Sequence, residues 1–353
     1  MALAATDPDV KTGTAYWDGA VRAWLFTIAG LVLAMVTVGG ATRLTDSGLS
    51  ITEWKPLLGA IPPLTEADWL AAFERYKQIP EYSLVNKGMN LDAFQVIYWW
   101  EWSHRFLGRM IGLAFALPLA FFWVKGVLRP GYALKLAGVL ALGALQGAIG
   151  WFMVQSGLVD RIDVSQYRLA LHLTVAFLIL SLVVWLGLSL GKSERAPLVP
   201  EKAVRMTANA LLALAFVQVV LGAFVAGLKG GLLYNTWPDM NGKLVPDDIL
   251  ALTPWYANIF ENPATAQFDH RLVAYVLVAL AAAHVWSIFS RPRAAIVKGS
   301  AALLMAGILA QVVLGITTLL NAVPVGLGIA HQAAAAVLLV LVTRHVHITQ
   351  RGH

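Results

Sequence analysis

Long runs of apolar residues alternate along the chain with shorter polar or basic connections. Each run is close to or above the roughly 20 residues that an α-helix needs to cross the hydrocarbon core of a bilayer. Eight such runs cover 22–41, 96–124, 132–156, 167–190, 206–228, 267–289, 298–320 and 325–346. The pattern predicts an all-α, polytopic membrane protein with eight transmembrane helices.

Composition supports this class and removes several others. Apolar residues make up 58% of the chain and charged residues only 13%, against about 25% charged in soluble domains. There are no cysteines, which excludes disulfides, thiolate ligands and iron–sulfur clusters. The net charge of +6 is not interpreted as nucleic-acid binding, because a positive excess in a membrane protein usually lies in cytoplasmic loops.

The basic residues predict the orientation of the chain. Ten Lys or Arg and two Glu fall in the connections after the second, fourth and sixth runs, at 125–135, 191–205 and 290–298. By the positive-inside rule these connections and both termini are cytoplasmic, with residues 1–22 as a polar tail. The long connections 42–95 and 229–266 are then on the outer side.

Each long outer connection has a predicted structure of its own. In the first, residues 66–78 are expected to form a short amphipathic helix on the membrane surface, with Thr65 as its N-cap. The second is rich in Gly, Pro, Asn and Asp and predicts turns. Loops of this length often act as lids or binding elements.

An internal repeat divides the chain into two halves, 1–195 and 196–353. His104 and His270 lie near the start of the second and sixth runs, and His172 and His331 lie near the start of the fourth and eighth. A parallel repeat of two pseudo-symmetric four-helix bundles accounts for this order. A Gln-x-x-x-Gly spacing recurs in the third, fifth and seventh runs, where the glycines are expected to let helices pack closely and the glutamines to bond across them. Its members are Gln146 and Gly150, Gln218 and Gly222, and Gln311 and Gly315.

The four histidines are predicted to lie at one depth near the outer face, two in each half. A lone membrane histidine is more often a buried polar contact, but two facing imidazoles suit the axial positions of haem iron. Small residues would leave room for the ring, and nearby arginines could bind its propionates. These are Gly108, Ala274, Gly328 and Ala334, with Arg105, Arg109 and Arg271.

The two halves differ at one position. Glu101 precedes His104 by three residues and can pair with Arg105, whereas Gln267 holds the same place before His270. A carboxyl beside a haem can move protons or orient water. The asymmetry suggests one haem that undergoes chemistry and one that passes electrons.

The remaining histidines have simpler expected roles. His284 is expected to make a structural polar contact within the sixth run. His345, His347 and His353 are expected to be solvated in the cytoplasmic tail.

Other functions stay open on these residues alone. The histidine repeat fits a non-enzymatic di-haem electron carrier equally well, although such a protein has no need of Glu101 in one half only. A haem transporter or chaperone is another alternative. A transporter of ions or small solutes is disfavoured because no run is clearly broken in mid-membrane.

Several motifs in order resemble the haem A synthase family over nearly the whole chain. They are GGATRLTDSGLSITEWKP at 39–56, PPL at 62–64, WWEWSHRFLGR at 99–109, YNTWPDMNGK at 234–243, DHR at 269–271 and HQ at 331–332. The resemblance is strongest to the branch found in alphaproteobacteria and mitochondria. Another branch carries a cysteine pair in its first outer loop, and this chain has none.

The resemblance implies oxidation of the methyl group at position 8 of haem O to a formyl group, giving haem A for cytochrome oxidase. It implies that His104 and His172 flank the substrate haem, that His270 and His331 bind a haem b cofactor, and that Glu101 is the family's essential glutamate. It leaves open whether one of His104 and His172 leaves the iron during turnover or the haem edge is oxidised instead.

The N-terminal tail is short and not Arg-rich, which favours a bacterial inner membrane, with the haem sites toward the periplasm. The resemblance adds expectations about partners. Haem O synthase would supply the substrate, and assembly factors of cytochrome oxidase would be partners, whereas the electron-transfer partner is unknown. A homo-oligomer is compatible with the sequence.

Overall fold

The computed structural model describes residues 8–56, 58–159, 161–190 and 201–350, with side chains described from Trp17 onward. Within these ranges eight helices are long and apolar enough to cross a membrane, as the hydropathy pattern predicts. The spanning helices are α1 Pro8–Leu44, α4 Leu91–Val124, α5 Tyr132–Gln155, α6 Gln166–Ser189, α7 Lys202–Gly227, α9 Pro263–Phe289, α10 Ala295–Leu320 and α11 Val325–Gln350. Three short helices complete the order, α2 Glu66–Tyr76, α3 Pro80–Leu84 and α8 Ala257–Glu261.

Successive spanning helices pack as neighbours in the same order in both halves. In the first half α1 contacts α4, α4 contacts α5 and α5 contacts α6; in the second α7, α9, α10 and α11 follow the same sequence. The halves meet through α1, α6, α7 and α11, whose side chains form most of the apolar core. This arrangement is compatible with two pseudo-symmetric four-helix bundles, and the pseudo-symmetry stays a prediction.

A polar contact joins the first and last spanning helices. Gln332 of α11 donates from Nε2 to the carbonyl of Val36 in α1 at 2.8 Å. A Cβ atom on Gly40 would lie 3.0 Å from the Gln332 amide, so the two helices approach closely there. The two halves are therefore joined at Gln332, the residue that directly follows His331.

The first outer connection folds as predicted in its local structure but not in its contacts. Thr65 caps α2 and forms a reciprocal capping box with Asp68. The apolar face of α2 does not lie on the membrane, however. Phe73 and Tyr76 are buried against Phe94 of α4, so the face that was expected on the membrane surface packs against protein.

The second outer connection consists mainly of turns, as its composition predicts. Short 3-10 turns lie at Gly230–Leu232 and Asp247–Leu250. The phenol of Tyr234 donates to Asp248 at 2.6 Å, and this raises the pKa of Tyr234 to about 12. The connection therefore has a defined fold held by its own side chains.

Two expectations about histidines are wrong at the C-terminal end of α11. His345 and His347 are buried and not solvated, because α11 continues in helical form to Gln350. His345 Nε2 lies 2.7 Å from His284 Nε2, and Ser300 lies 2.8 Å from His345 Nδ1. His284 thus makes the predicted polar contact, whereas His353 lies outside the described residues.

Helix α1 extends into the N-terminal segment that the sequence predicts to be a polar tail. Within residues 1–22 this helix begins at Pro8. Residues 1–7 lie outside the described part of the chain. At the same end Arg129 forms an ion pair with Asp18 at 2.6 Å, which joins the first basic connection to α1.

Candidate functional site

Each of the four predicted histidines lies against a glycine of the spanning helix that precedes it. A Cβ atom built on Gly150 would lie 3.0 Å from Cε1 of His172, and one on Gly222 would lie 3.1 Å from Cε1 of His270. The corresponding atom on Gly315 would lie 2.9 Å from Cε1 of His331. Only glycine leaves the imidazole its present position, because real Cβ atoms rarely approach so closely.

The fourth member of this pattern uses a glycine outside the Gln-x-x-x-Gly repeat. A Cβ atom on Gly39 of α1 would lie 2.9 Å from Nε2 of His104. The first, third, fifth and seventh spanning helices, α1, α5, α7 and α10, therefore each provide a glycine cradle for the histidine of the next spanning helix. The same contact between a glycine and a histidine occurs four times.

Three of the cradles have a glutamine one turn before the glycine. The side-chain nitrogen of Gln146 donates to the backbone carbonyl of His172 at 2.9 Å, and Gln218 donates to that of His270 at 2.9 Å. Gln311 donates to the carbonyl of His331 at 3.0 Å. Each glutamine thus fixes the backbone that carries a histidine.

The same amide nitrogens also contact the imidazole rings. Gln146 Nε2 is 3.1 Å from Nδ1 and 3.4 Å from Nε2 of His172. An atom almost equally far from both ring nitrogens lies over the ring face and not along either lone pair. Gln218 is placed in the same way over His270, at 3.1 and 3.2 Å. The amide therefore restrains the ring as well as the backbone.

The predicted bonding of these glutamines across helices is confirmed, but the sequence does not identify their partners. In the structure the glutamine and the glycine of each repeat both contact a histidine of the neighbouring helix. The signal was the coincidence in number: three repeats beside four repeated histidines. Without a structure the partner of each glutamine could not be identified.

The histidines are brought together in the predicted pairs. His104 lies within electrostatic range of His172, and His270 within range of His331. All four side chains are half-buried. Within the described residues there is no group of three or more His, Asp or Glu side chains that could hold a bare metal ion.

Glu101 is the buried carboxylate beside the first pair. Its side chain is 3% exposed and forms the predicted ion pair with Arg105 at 2.5 Å. Its other oxygen accepts from the Ser50 hydroxyl at 2.7 Å and from the Ile51 N–H at 2.6 Å. Three donors therefore converge on this carboxyl group.

Arg105 and Arg109 hold the first outer connection against α4. Arg105 donates to the carbonyls of Ile51 and Glu53, at 2.7 and 3.0 Å. Arg109 donates to the carbonyls of Lys55 and Pro56, at 2.9 and 2.7 Å. Most of their donors are used in this way, but Nη1 of Arg109 is buried without a hydrogen-bond partner.

The second half repeats this arrangement with different chemistry. Arg271 donates to the carbonyls of Tyr234 and Asp239, at 3.0 and 2.9 Å. Gln267 donates to the Tyr234 carbonyl at 3.1 Å. In both halves, therefore, two residues bind the outer loop. One lies three positions before His104 or His270, and the other is the arginine directly after that histidine. Only the first half uses a carboxylate.

Not every small residue predicted to make room for a ring faces open space. A Cβ atom on Gly108 would lie 3.3 Å from Cε of Met35, and one on Gly328 would lie 2.7 Å from Leu44. Both glycines serve the approach of α1 to its neighbours. The space around the histidines is instead provided by the four cradle glycines.

The donor set fits haem. Two imidazoles per pair match the axial ligands of a six-coordinate haem iron. The carbonyl oxygens of Gln146, Gln218 and Gln311 are buried without partners, so each histidine site with a glutamine keeps an unused hydrogen-bond acceptor. Buried unpaired N–H groups on Arg109 and Arg271 are available to carboxylates.

Comparison with known proteins agrees with this fit. Residues 22–343 match the family described as cytochrome oxidase assembly protein. The chain belongs to this family. The match begins in α1 and ends in α11, so it includes all four histidines and both outer loops.

Relatives named haem A synthase match almost the whole chain. The protein of Parvibaculum lavamentivorans is 52% identical over 330 residues, which cover 93% of this chain and 94% of the relative. That of Brucella anthropi is 47% identical over 333 residues, covering 94% and 93%. That of Bradyrhizobium diazoefficiens is 51% identical over 324 residues, covering 91% and 89%.

Proposed function

We propose that this chain is a haem A synthase, a membrane oxidoreductase that oxidises the C8 methyl of haem O to a formyl group and supplies haem A for cytochrome oxidase. The observation that carries the proposal is the set of four cradled histidines in two pairs, with a buried carboxylate beside only one pair. Family membership and the names of relatives about 50% identical support it.

In this proposal each half of the protein binds a different haem. His104 and His172, in residues 1–195, hold the substrate haem O beside Glu101. His270 and His331, in residues 196–353, hold haem b. When bound there, haem b supplies a one-electron carrier for the oxidation. The support for this division is the carboxylate at 101 where the second half has Gln267.

Glu101 is the proton-handling residue of the proposal. Its Oε2 faces the Ser50 hydroxyl, which can turn from donor to acceptor when this oxygen takes up a proton. Arg105 stays on Oε1 throughout and keeps the carboxyl in position. Oxidation of a methyl group releases protons, and a carboxyl placed beside the substrate can receive them.

Three arginines would also orient the haems. Arg105, Arg109 and Arg271 are near the outer ends of their helices and already bind outer-loop carbonyls. The unpaired N–H groups of Arg109 and Arg271 would bind propionates. The outer loops and the haems would then be held by the same side chains.

The proposal places the protein in a bacterial inner membrane, with the haem sites toward the periplasm. An even number of spans puts residues 8 and 350 on one side, and the basic connections favour the cytoplasm for that side. Haem O synthase is the proposed source of substrate, and oxidase assembly factors are proposed partners. The electron partner is not assigned, and a homo-oligomer is compatible.

The alternative is a non-enzymatic carrier with haem b in both halves. The equal histidine cradles fit this alternative equally well. Glu101 does not, because electron transfer alone requires no buried carboxylate in one half.

Extraction and chromatography of the haems from purified protein separate the two functions. Wild type should yield haem b together with haem O or haem A. His270→Ala should reduce haem b, and His104→Ala should reduce haem O and haem A. Haem b alone, with half of it lost in each variant, would establish the carrier.

A further inference from the structure

We propose that His104 is the axial ligand that leaves the substrate haem iron, and that it leaves by a half-turn of its imidazole in the Gly39 cradle. Met35, which lies where the other cradles have a glutamine, leaves the ring free to turn. The inference rests on the proposed function for the identity of the substrate haem, but its test reads the ligand itself.

The first observation is the missing glutamine. Gln146, Gln218 and Gln311 lie four residues before their cradle glycines, and the residue four before Gly39 is Met35. A thioether cannot donate a hydrogen bond to the backbone of a histidine or over its ring. Within the described part of the chain, the His104 side chain has no hydrogen-bond partner.

The second observation is the orientation of the ring. From the Cβ position of Gly315, His331 presents Cε1 at 2.9 Å, Nδ1 at 3.4 Å and Nε2 at 3.7 Å. From that of Gly39, His104 presents Nε2 at 2.9 Å, Cδ2 at 3.3 Å and Cε1 at 3.8 Å. A half-turn about the Cβ–Cγ bond exchanges Nε2 with Cε1 and Nδ1 with Cδ2. It therefore converts one set of distances into the other.

The orientation decides whether the ring can bind iron. The other three rings turn the carbon Cε1 toward their glycines, at 3.0 Å in His172, 3.1 Å in His270 and 2.9 Å in His331, whereas His104 turns Nε2 toward Gly39 at 2.9 Å. A nitrogen that faces the glycine backbone does not face a ligand. His104 is therefore turned away from ligation in the one cradle that has no glutamine to set the ring.

The asymmetry suits a substrate site. Haem O must enter and haem A must leave the first half, whereas haem b stays in the second. Gln218 and Gln311 restrain both histidines of the second half, but only Gln146 acts in the first. One restrained and one free histidine can hold a haem and still release it. A half-turn needs no movement of the backbone.

Carbon monoxide titration of the dithionite-reduced, purified protein tests this inference, because carbon monoxide binds only haem iron that has lost an axial ligand. In wild type, one haem per chain should bind carbon monoxide. Met35→Gln should weaken this binding roughly five- to tenfold, the effect of one added hydrogen bond. Met35→Leu, which fills similar space without a donor, should leave it unchanged.

A second variant works in the opposite direction and does not depend on the folding of the first. Gln311→Met gives His331 the surroundings of His104, so a second haem per chain should become reactive to carbon monoxide. The inference is overturned if Met35→Gln and Met35→Leu behave alike, or if Gln311→Met keeps its haem and that haem stays unreactive. A failure of the proposed function would look different, as haem b in both halves with the carbon monoxide pattern intact.

Discussion

Glu101 and Arg105 form an ion pair at 2.5 Å, one helical turn apart, and both bind the same outer segment. Glu101 accepts from Ser50 and from the Ile51 N–H, and Arg105 donates to the Ile51 carbonyl. The carboxylate beside the proposed substrate site is thus part of the attachment of the first outer loop. A change at Glu101 is expected to affect chemistry and loop together.

Replacing Glu101 with Gln should leave haem bound but reduce haem A formation at least a hundredfold, because general acid–base groups contribute about 10² to 10⁴ in rate. Haem O or a hydroxylated intermediate should accumulate. Haem chromatography after expression with haem O synthase measures the outcome. Glu53→Gln is the control, since Glu53 makes only exposed ion pairs with Lys55 and Arg75. Normal haem A in Glu101→Gln would exclude the proton role.

Replacing the arginine that binds one outer loop should make that loop, and not the other, more accessible to protease. Arg105→Ala removes three hydrogen bonds from segment 51–53 and Glu101, and Arg271→Ala removes two from Tyr234 and Asp239. Because hydrogen bonds to charged groups contribute about 1.5–3 kcal/mol each, limited proteolysis should accelerate at least tenfold. Cleavage should occur in 45–90 for the first variant and in 229–262 for the second.

Lys77→Ala is the matched control for this experiment. Lys77 lies in the first outer loop, but its ion pair with Glu74 is on the surface, where such pairs contribute little. If Arg105→Ala exposed both loops equally, the arginines would not act as local attachments.

A methyl group added to a cradle should displace haem. In Gly315→Ala the new Cβ would lie 2.9 Å from Cε1 of His331, so the ring must shift. We expect at least a tenfold loss of haem b affinity, in the range seen when residues that orient metal ligands are changed. The haem-to-protein ratio from pyridine haemochrome spectra measures it.

Gly299→Ala provides the comparison within the same helix. Nothing lies within 4 Å of the Cβ position of Gly299, and alanine favours helix by about 1 kcal/mol over glycine. This variant should keep its haem and unfold at an equal or higher temperature. Equal haem loss in both variants would mean that α10 tolerates no substitution and that the cradle is not specific.

The first outer loop should become less stable as the pH rises. Burial, helped by the nearby carboxyls of Asp46, Glu101 and Asp163, raises the pKa of the Glu81 carboxyl from 4.5 to about 8. The folded loop then binds a proton that the unfolded loop releases, so stability is greatest below pH 4.5 and falls until about pH 8. The slope is at most about 1.4 kcal/mol per pH unit.

Glu81→Gln should remove this dependence, because the amide imitates the neutral carboxyl. Protease accessibility of 45–90 between pH 5 and pH 9 compares the two proteins. Parallel profiles for wild type and Glu81→Gln would show that another group titrates.

Part of the site could be predicted because it follows from helical spacing. Glu101 and Arg105 are four residues apart, so their pairing needs nothing beyond an α-helix. The N-cap of α2 at Thr65 is equally local. By contrast, the apolar face of α2 faces α4 and not the membrane, since periodicity shows that a face is apolar without showing what covers it.

The tail histidines show the same limit. Hydropathy falls near residue 346, and His345 and His347 therefore resemble a solvated end. In the structure His284 and Ser300 provide polar partners for His345, and Ser189 provides one for His347, so α11 stays helical and its histidines stay buried. Contacts between distant residues cannot be inferred from one stretch of sequence.

The sequence by itself determined the eight spanning helices, the four histidines with the single carboxylate, and the family, because hydrophobic length and short motifs are written in consecutive residues. Only the tertiary structure decided that each histidine lies in a glycine cradle of the preceding spanning helix. It also decided that three glutamines restrain three of the rings and that Met35 leaves the fourth unrestrained. The physical reason is that a ring is fixed by the atoms that surround it, and those atoms belong to another helix.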